Sequence, residues 1–334
     1  MKNLYKITFL TTMMMGTLIT ASASTWMGMW MGLEINLLSI MPLMINTKNK
    51  IESEAAMKYF ITQTMTSAIF VMAIMTKMSL TETLYSSKMT YLIMDSAILT
   101  KMGAAPFHFW FPEVMEGLSW MNSTIMLTWQ KIAPMAIFMQ STKMIMFTCM
   151  ITIMSIMMGG IMGINQTSMR KIMAYSSINH IGWMIATMLT NSSLWMIYMG
   201  IYSMMTLTIN LMFKSMNIFT MKQMIDAMNQ NKYTKIMFSL NFLSMGGIPP
   251  FTGFIPKWLI INTMIQEKMN MMTMIMIIMT LITLFFYMRI SVSAMMMTTA
   301  EMKNMKKTPK MNLFILTFTV LTSLIACPLL ISFI

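Results

Sequence analysis

The sequence predicts an all-α polytopic membrane protein of about eleven transmembrane helices, arranged as an inverted repeat with two broken helices. Three observations carry this expectation. Of 334 residues, 57% are hydrophobic and only 10% charged, with a mean hydropathy of +0.65; a soluble domain is roughly a quarter charged. Apolar runs of about twenty residues recur along the whole chain, each long enough to cross a bilayer of roughly 30 Å as a helix. Two stretches, KMGAAPFHFWFPE (101–113) and MGGIPPFTGFIPKW (245–258), interrupt such runs with glycine and proline.

Taken in order, the first run, 4–24, follows Lys2 and Lys6 and ends in Ala21-Ser22-Ala23, which imitates a signal peptide. It is kept as a helix because the sidedness of the later loops works best with it in place. The second run, 26–45, carries Glu34 in mid-span, and the third covers 55–76. The fourth, 89–109, contains the first break; the fifth, 121–140, holds Lys131 and Pro134. Runs at 143–163, 171–189 and 194–213 follow, the middle one carrying YSSINHIGW (175–183). The ninth, 235–264, contains the second break, and 270–288 and 311–333 complete the set. Residues 1–334 thus form one transmembrane domain, with a first repeat at about 1–140, a second at about 143–296 and a last helix at 311–333.

If these spans alternate sides, the basic residues sort unevenly. Fifteen fall on the N-terminal side, from Lys2 to Lys310, and only Lys77, Lys88, Lys143 and Lys268 on the other. Basic loops stay on the cytoplasm-equivalent side, so the N-terminus belongs there. The two broken stretches superpose at an offset of 144 residues: Gly103 meets Gly247, Pro106 meets Pro250, Phe107 meets Phe251 and Pro112 meets Pro256. They fall five spans apart, an odd number, so the second copy crosses the membrane in the opposite sense. Pro106, Pro249 and Pro250 each remove a backbone donor and free a carbonyl, which lipid cannot satisfy. The breaks are therefore expected where backbone is buried in protein or lines a wet cavity, as in the broken helices of inverted-repeat transporters.

Inside the spans this reading leaves four ionisable residues: Glu34, Lys101, Lys131 and Lys257. Each costs on the order of 2.5–3.5 kcal/mol at a helix centre on insertion scales, so four together mark a functional axis. Glu34 neutralises at most one lysine. A desolvated lysine can alternate between charged and neutral forms, which is what a proton relay needs. His108, two residues past Pro106, and His180 titrate near neutrality and are further candidates; each is also compatible with a plain interhelical hydrogen bond. Thr128, Gln130, Asn165, Ser176 and Ser177 are weaker candidates for holding water.

Several classes are excluded or disfavoured. The net charge of +13 comes from residues flanking apolar runs, without the interleaved aromatics of a nucleic-acid surface. Cys149 and Cys327 sit alone in apolar runs and suggest neither a disulfide nor a metal site. No Walker loop, dinucleotide fingerprint or set of haem or iron–sulfur ligands is present. Met is abundant, 58 of 334, and Val scarce, the bias expected of an A+T-rich genome that reads AUA as Met.

The stretches WMGMWMGLEINLLSIMP (26–42), ESEAAMKYFITQ (52–63), KMGAAPFHFWFPEVMEG (101–117), LTWQKIAP (127–134), GINQTSMRKIMAYSSINHIGWM (163–184) and LSMGGIPPFTGFIPKW (243–258) resemble the NADH dehydrogenase subunit 2 family. These are mitochondrially encoded, antiporter-like membrane subunits of respiratory complex I, and the arthropod versions look most similar. The resemblance covers roughly residues 1–300. It implies that Glu34 partners Lys101, that Lys131 is the central lysine passing protons between half-channels, that Lys257 serves the second break, and that His108 and His180 border the hydrophilic axis. It further implies a proton-translocating part of NADH:ubiquinone oxidoreductase in the mitochondrial inner membrane, with the N-terminus in the matrix. This chain would hold no cofactor, with FMN and iron–sulfur clusters in other subunits. Its partners would be other complex I subunits, including neighbouring antiporter-like ones, and membrane lipid such as cardiolipin, but no nucleic acid. A free-standing Na⁺/H⁺ antiporter and a structural spacer of the membrane arm remain compatible with the residues.

Overall fold

The computed structural model describes residues 2–46, 49–79, 84–141, 144–228 and 232–296. Among the described residues there are fourteen α-helices and no strand, apart from one isolated bridge between Ser168 and Thr220. The expected last helix, 311–333, lies outside them. The chain divides after Ser155 into two compact units, so the boundary falls inside a helix rather than in a linker.

In the first unit, α1 (Lys2–Ser22) and α2 (Trp26–Met44) pack closely. A Cβ added at Gly32 would come within 2.5 Å of Thr20 Cγ2 and 2.8 Å of Thr20 N, so the small residue sets how near the two helices lie. Thr25 caps α2 by accepting from Gly28 N at 3.2 Å. The long α3 (Lys50–Ser79) packs on α4 (Leu84–Met102) and on the short α5 (Trp110–Gly117). After α6 (Trp120–Leu127), α7 (Trp129–Ser141) packs against α4 and α1, and α8 (Ile145–Ile164) leads out of the unit.

The second unit is organised on α9 (Met169–Thr190), which is buried without interruption from Ser176 to Met188. That explains how a helix carrying Ser, Asn and His lies among apolar ones: protein, not lipid, surrounds it. The helix α10 (Ser192–Met216) packs on it, capped by the Asn191 side chain at the start and by left-handed Asn217 at the end. A short α11 (Met221–Met228), which the sequence reading leaves as loop, follows a cross-link of loop backbones: Met169 N donates to Phe219 O at 2.9 Å and Met221 N to Thr167 O at 3.1 Å. Then come α12 (Lys232–Gly246), α13 (Phe254–Gln266) and α14 (Asn270–Met296). α12 and α14 share an aromatic seam in which Phe242 meets Phe238 and Tyr287.

Among the described residues, six helices are long and apolar enough to span a membrane: α1 from Leu4, α2, α3, α8, α10 and α14. Their outer faces leave large apolar side chains uncovered, such as Met65, Met72, Met271 and Leu281, a surface stable only in lipid or against partners. Three of the runs are divided in the described structure, two of them at the expected breaks. The fourth run ends at Met102 and resumes as α5, and the ninth divides into α12 and α13. The fifth, expected whole, is interrupted at Thr128, whose φ of −111° and ψ of −72° leave the α6 line. The peptide N–H and hydroxyl of Thr128 both bond to Thr124 O, and Pro134 takes the donor from the following turn.

Candidate functional site

The two breaks share one backbone design. α4 ends at Met102 and α12 at Gly246, while α5 starts at Trp110 and α13 at Phe254, so both boundaries repeat at the offset of 144. Gly103 and Gly247 both take left-handed φ, 75° and 78°, a conformation that costs a residue with a Cβ about 1–2 kcal/mol. Phe111 N donates to His108 O at 3.0 Å and Ile255 N to Thr252 O at 3.2 Å, again 144 residues apart. The Ala105–Pro106 peptide is cis. One expectation needs correction. Pro106, Pro249 and Pro250 are exposed in the chain, whereas Gly103–Ala105 and Phe251–Gly253 are buried. A proline has no N–H to hide, so its ring can face outward while donor-bearing backbone turns in.

Chemistry separates what the backbone repeats. In the first unit the indole of Trp110 donates to Thr100 O at 3.0 Å, satisfying a carbonyl at the broken end of α4. In the second, Lys257 Nζ donates to Gly246 O at 3.0 Å and lies 6.0 Å from the centre of the Trp183 ring.

Lys101 and Lys131, both buried, line one cavity of the first unit, of about 20 Å³, room for about one water. Asn36, Tyr59, Gln63 and Gln130 supply its other polar walls. Gln130 Nε2 donates to Asn36 Oδ1 at 2.9 Å, and Tyr59 OH reaches Gln130 Oε1 at 3.4 Å. Lys131 Nζ sits 5.5 Å from the centre of the Phe111 ring, so the helix after the break forms a wall for Lys131. Half-buried Glu34 acts on Lys101 through space, without approaching within 4.0 Å. Among the described residues, ion pairs that close join Lys58 to Glu54 and Glu113, at 3.3 and 3.1 Å.

In the second unit, His180 Nδ1 lies 2.8 Å from Tyr198 OH, and its ring packs 4.9 Å from that of Tyr202. Ser176 and Ser177 return their hydroxyls to Met173 O and Ala174 O of their own helix, at 2.7 Å each. In the first unit, His108 is buried and stacked on Phe109 at 4.6 Å.

The count of ionisable residues inside spans omits two. Lys58 lies in α3 near its N-terminal end and is solvated. Asp95, in the middle of α4, is fully buried. Asn36, Tyr59 and Gln63 carry no signal in the sequence, because neutral polar residues inside apolar runs announce nothing until packed helices bring them together.

Broken, buried-lysine helices in repeated arrangement define a polytopic subunit of the antiporter-like class. A family model described as NADH:quinone oxidoreductase/Mrp antiporter, TM, matches residues 23–283. The chain belongs to this family, and within it groups with proteins called NADH-ubiquinone oxidoreductase chain 2. The version from Anopheles gambiae is 47% identical over 301 residues, covering 89% of this chain and 88% of its own. That from Ceratotherium simum is 38% identical, covering 95% of each. A chain of respiratory complex I from Thermus thermophilus has the same fold, with a TM-score of 0.84 at 18% identity over 97% of this chain and 77% of its own. A chain of the Mrp complex from Dietzia sp. DQ12-45-1b matches with a TM-score of 0.73 at 13% identity, covering 85% and 59%.

Proposed function

We propose that this chain is a proton-translocating membrane-arm subunit of mitochondrial NADH:ubiquinone oxidoreductase. The carrying observation is that Lys101 and Lys131, two buried lysines, line one water-sized polar cavity, with half-buried Glu34 acting on Lys101. Like charges that line one small cavity destabilise one another. A proton arriving at one lysine therefore favours departure from the other. Glu34 tunes Lys101: when its charge is drawn elsewhere, Lys101 loses its stabilising acid and yields its proton toward Lys131. In the second unit Lys257 and His180 continue the pathway, with Trp183 and Tyr198 against them. His108 serves the first break, where its ring sits among the turn residues. Gly103 and Pro106, and Gly247, Pro249 and Pro250, open the backbone so that these groups meet water at membrane depth.

The chain sits in the mitochondrial inner membrane with its N-terminus in the matrix, a reading supported by the excess of basic loops on that side. Its partners are other complex I subunits, including antiporter-like neighbours, and membrane lipid. NADH oxidation, FMN and iron–sulfur clusters belong to those other subunits. The test is Lys131→Met in the assembled complex, with NADH oxidation and protons moved per NADH measured in sealed vesicles. Loss of proton output per NADH is expected, and an unchanged ratio at unchanged activity refutes the reading.

A further inference from the structure

Asp95 is fully buried in α4, and among the described residues neither of its carboxyl oxygens has a partner in hydrogen-bond geometry. The polar group near enough to act on it is the hydroxyl of Ser141, the last residue of α7, which gives its own hydrogen bond to Phe138 O at 3.1 Å. A carboxyl serving as interhelical glue would be hydrogen-bonded, since that bond is what makes a polar group worth its place in a membrane interior. A permanently charged one would be paired or would line a wet cavity. Among the described residues Asp95 has no ion-pair partner and only the Ser141 hydroxyl beside it, a setting that suits a group that takes up and releases a proton.

Its position says where in a pathway. Asp95 precedes Lys101 by six residues, about 9 Å along α4, and Ser141 follows Lys131 by ten, about 15 Å along α7. Lys101 faces the cavity of Lys131, and Asp95 faces Ser141. α4 and α7 thus run antiparallel, and both steps lead from the lysine cavity in the same direction. With α1, α2 and α3 each crossing once, that direction is the side opposite the N-terminus. One turn further along α4, the Tyr91 ring lies under Lys77 Nζ at 4.6 Å, and Trp26 holds the same ammonium at 4.2 Å, at the end of α3.

We propose that Asp95 is a further proton-binding residue of the pathway, standing between the Lys101–Lys131 cavity and the membrane face opposite the N-terminus. This rests on the proton-translocating reading above. A lysine ammonium gives up its proton and becomes a neutral amine, while the Asp95 carboxylate takes it, through intervening water, and becomes the carboxylic acid. Release past Ser141 toward the outer water then restores the carboxylate.

The experiment compares Asp95→Asn, Asp95→Glu and Lys131→Met in the assembled complex, reading NADH oxidation and protons moved per NADH in sealed vesicles. Loss of proton output per NADH in Asp95→Asn and its retention in Asp95→Glu are expected. If Lys131→Met lowers the ratio and Asp95→Asn does not, the Asp95 proposal fails while the translocating function stands. If neither lowers it, the pathway reading fails and takes Asp95 with it. Should Asp95→Asn not accumulate, infrared difference spectra of the native and Asp95→Glu complexes decide. A carboxylic-acid band that appears on turnover and moves in frequency on substitution supports the proposal, and spectra without such a change overturn it.

Discussion

Gly247→Ala tests how the second break holds its lysine. A Cβ at this position would lie 2.9 Å from Lys257 Nζ and 3.1 Å from its Cδ. The substitution therefore imposes two separable costs. One is backbone strain, because φ is 78°, about 1–2 kcal/mol for a residue with a Cβ. The other is displacement of the ammonium from Gly246 O, a bond of 3.0 Å, about 1.5–3 kcal/mol for a charged donor. Together they amount to about 2.5–5 kcal/mol. In a Lys257→Met background only the strain remains, so a double-mutant cycle should give a coupling of about 1.5–3 kcal/mol. The assay is reversible denaturant unfolding of the chain in mixed detergent micelles, for the parent, both single variants and the double variant. Coupling under about 0.5 kcal/mol, the scatter of independent sites, would refute the assignment of the lysine to that carbonyl. Gly103→Ala is the internal control. Its φ is 75°, but its added Cβ meets the Phe111 side chain, at 3.3 Å from Cβ and 3.4 Å from Cγ, and no lysine among these nearest atoms, so strain of about 1–2 kcal/mol is the main expected effect.

Three further outcomes follow from the packing. Gln130→Leu removes the donor to Asn36 Oδ1 and should cost about 1–3 kcal/mol, read by the same unfolding assay, with lowered proton output in vesicles because the wall of the lysine cavity changes. Tyr198→Phe deletes the 2.8 Å contact with His180 Nδ1; a loss of about 0.5–1.5 kcal/mol and a changed ring chemical shift for His180 in a labelled chain are expected. Gly32→Val drives a branched side chain into Thr20 and should cost about 1–3 kcal/mol. Its signature is faster cross-linking failure between cysteines introduced in α1 and α2, with the second unit's unfolding unchanged.

The breaks around Gly103 and Gly247 were legible because their cause is local: a left-handed turn calls for glycine and a missing donor for proline, and both leave letters in the sequence. The interruption at Thr128 has no such letter. Its proline, Pro134, stands six residues away, and the fault appears where a threonine hydroxyl joins its own peptide N–H on one carbonyl. Asp95 was hidden by its setting, one acid in YLIMDSAIL, whose apolar average reads as an ordinary span. The lysine cavity was half legible. Its charges stand out against an apolar background, but Asn36, Tyr59 and Gln63 come from α2 and α3, and only tertiary packing sets them beside Lys101 on α4.

The repeat also carries an argument about how its lysines work. Position for position, Lys257 corresponds to Glu113, which pairs with Lys58 at 3.1 Å, and Lys101 corresponds to Met245. The helix boundaries and the left-handed glycine are thus preserved across the two breaks while the cation has changed places: before the glycine in the first unit, after it in the second. The consequence lies in what each lysine leans on. Lys101 feels Glu34 through space, without contact, an influence that vanishes when either partner becomes neutral. Lys257 donates to the Gly246 carbonyl, and a neutral amine keeps two N–H donors, so this bond survives loss of the proton. Under the proposed translocation, Lys101 would change its affinity for a proton when a neighbouring charge changes, whereas Lys257 would stay where it is while a proton comes and goes.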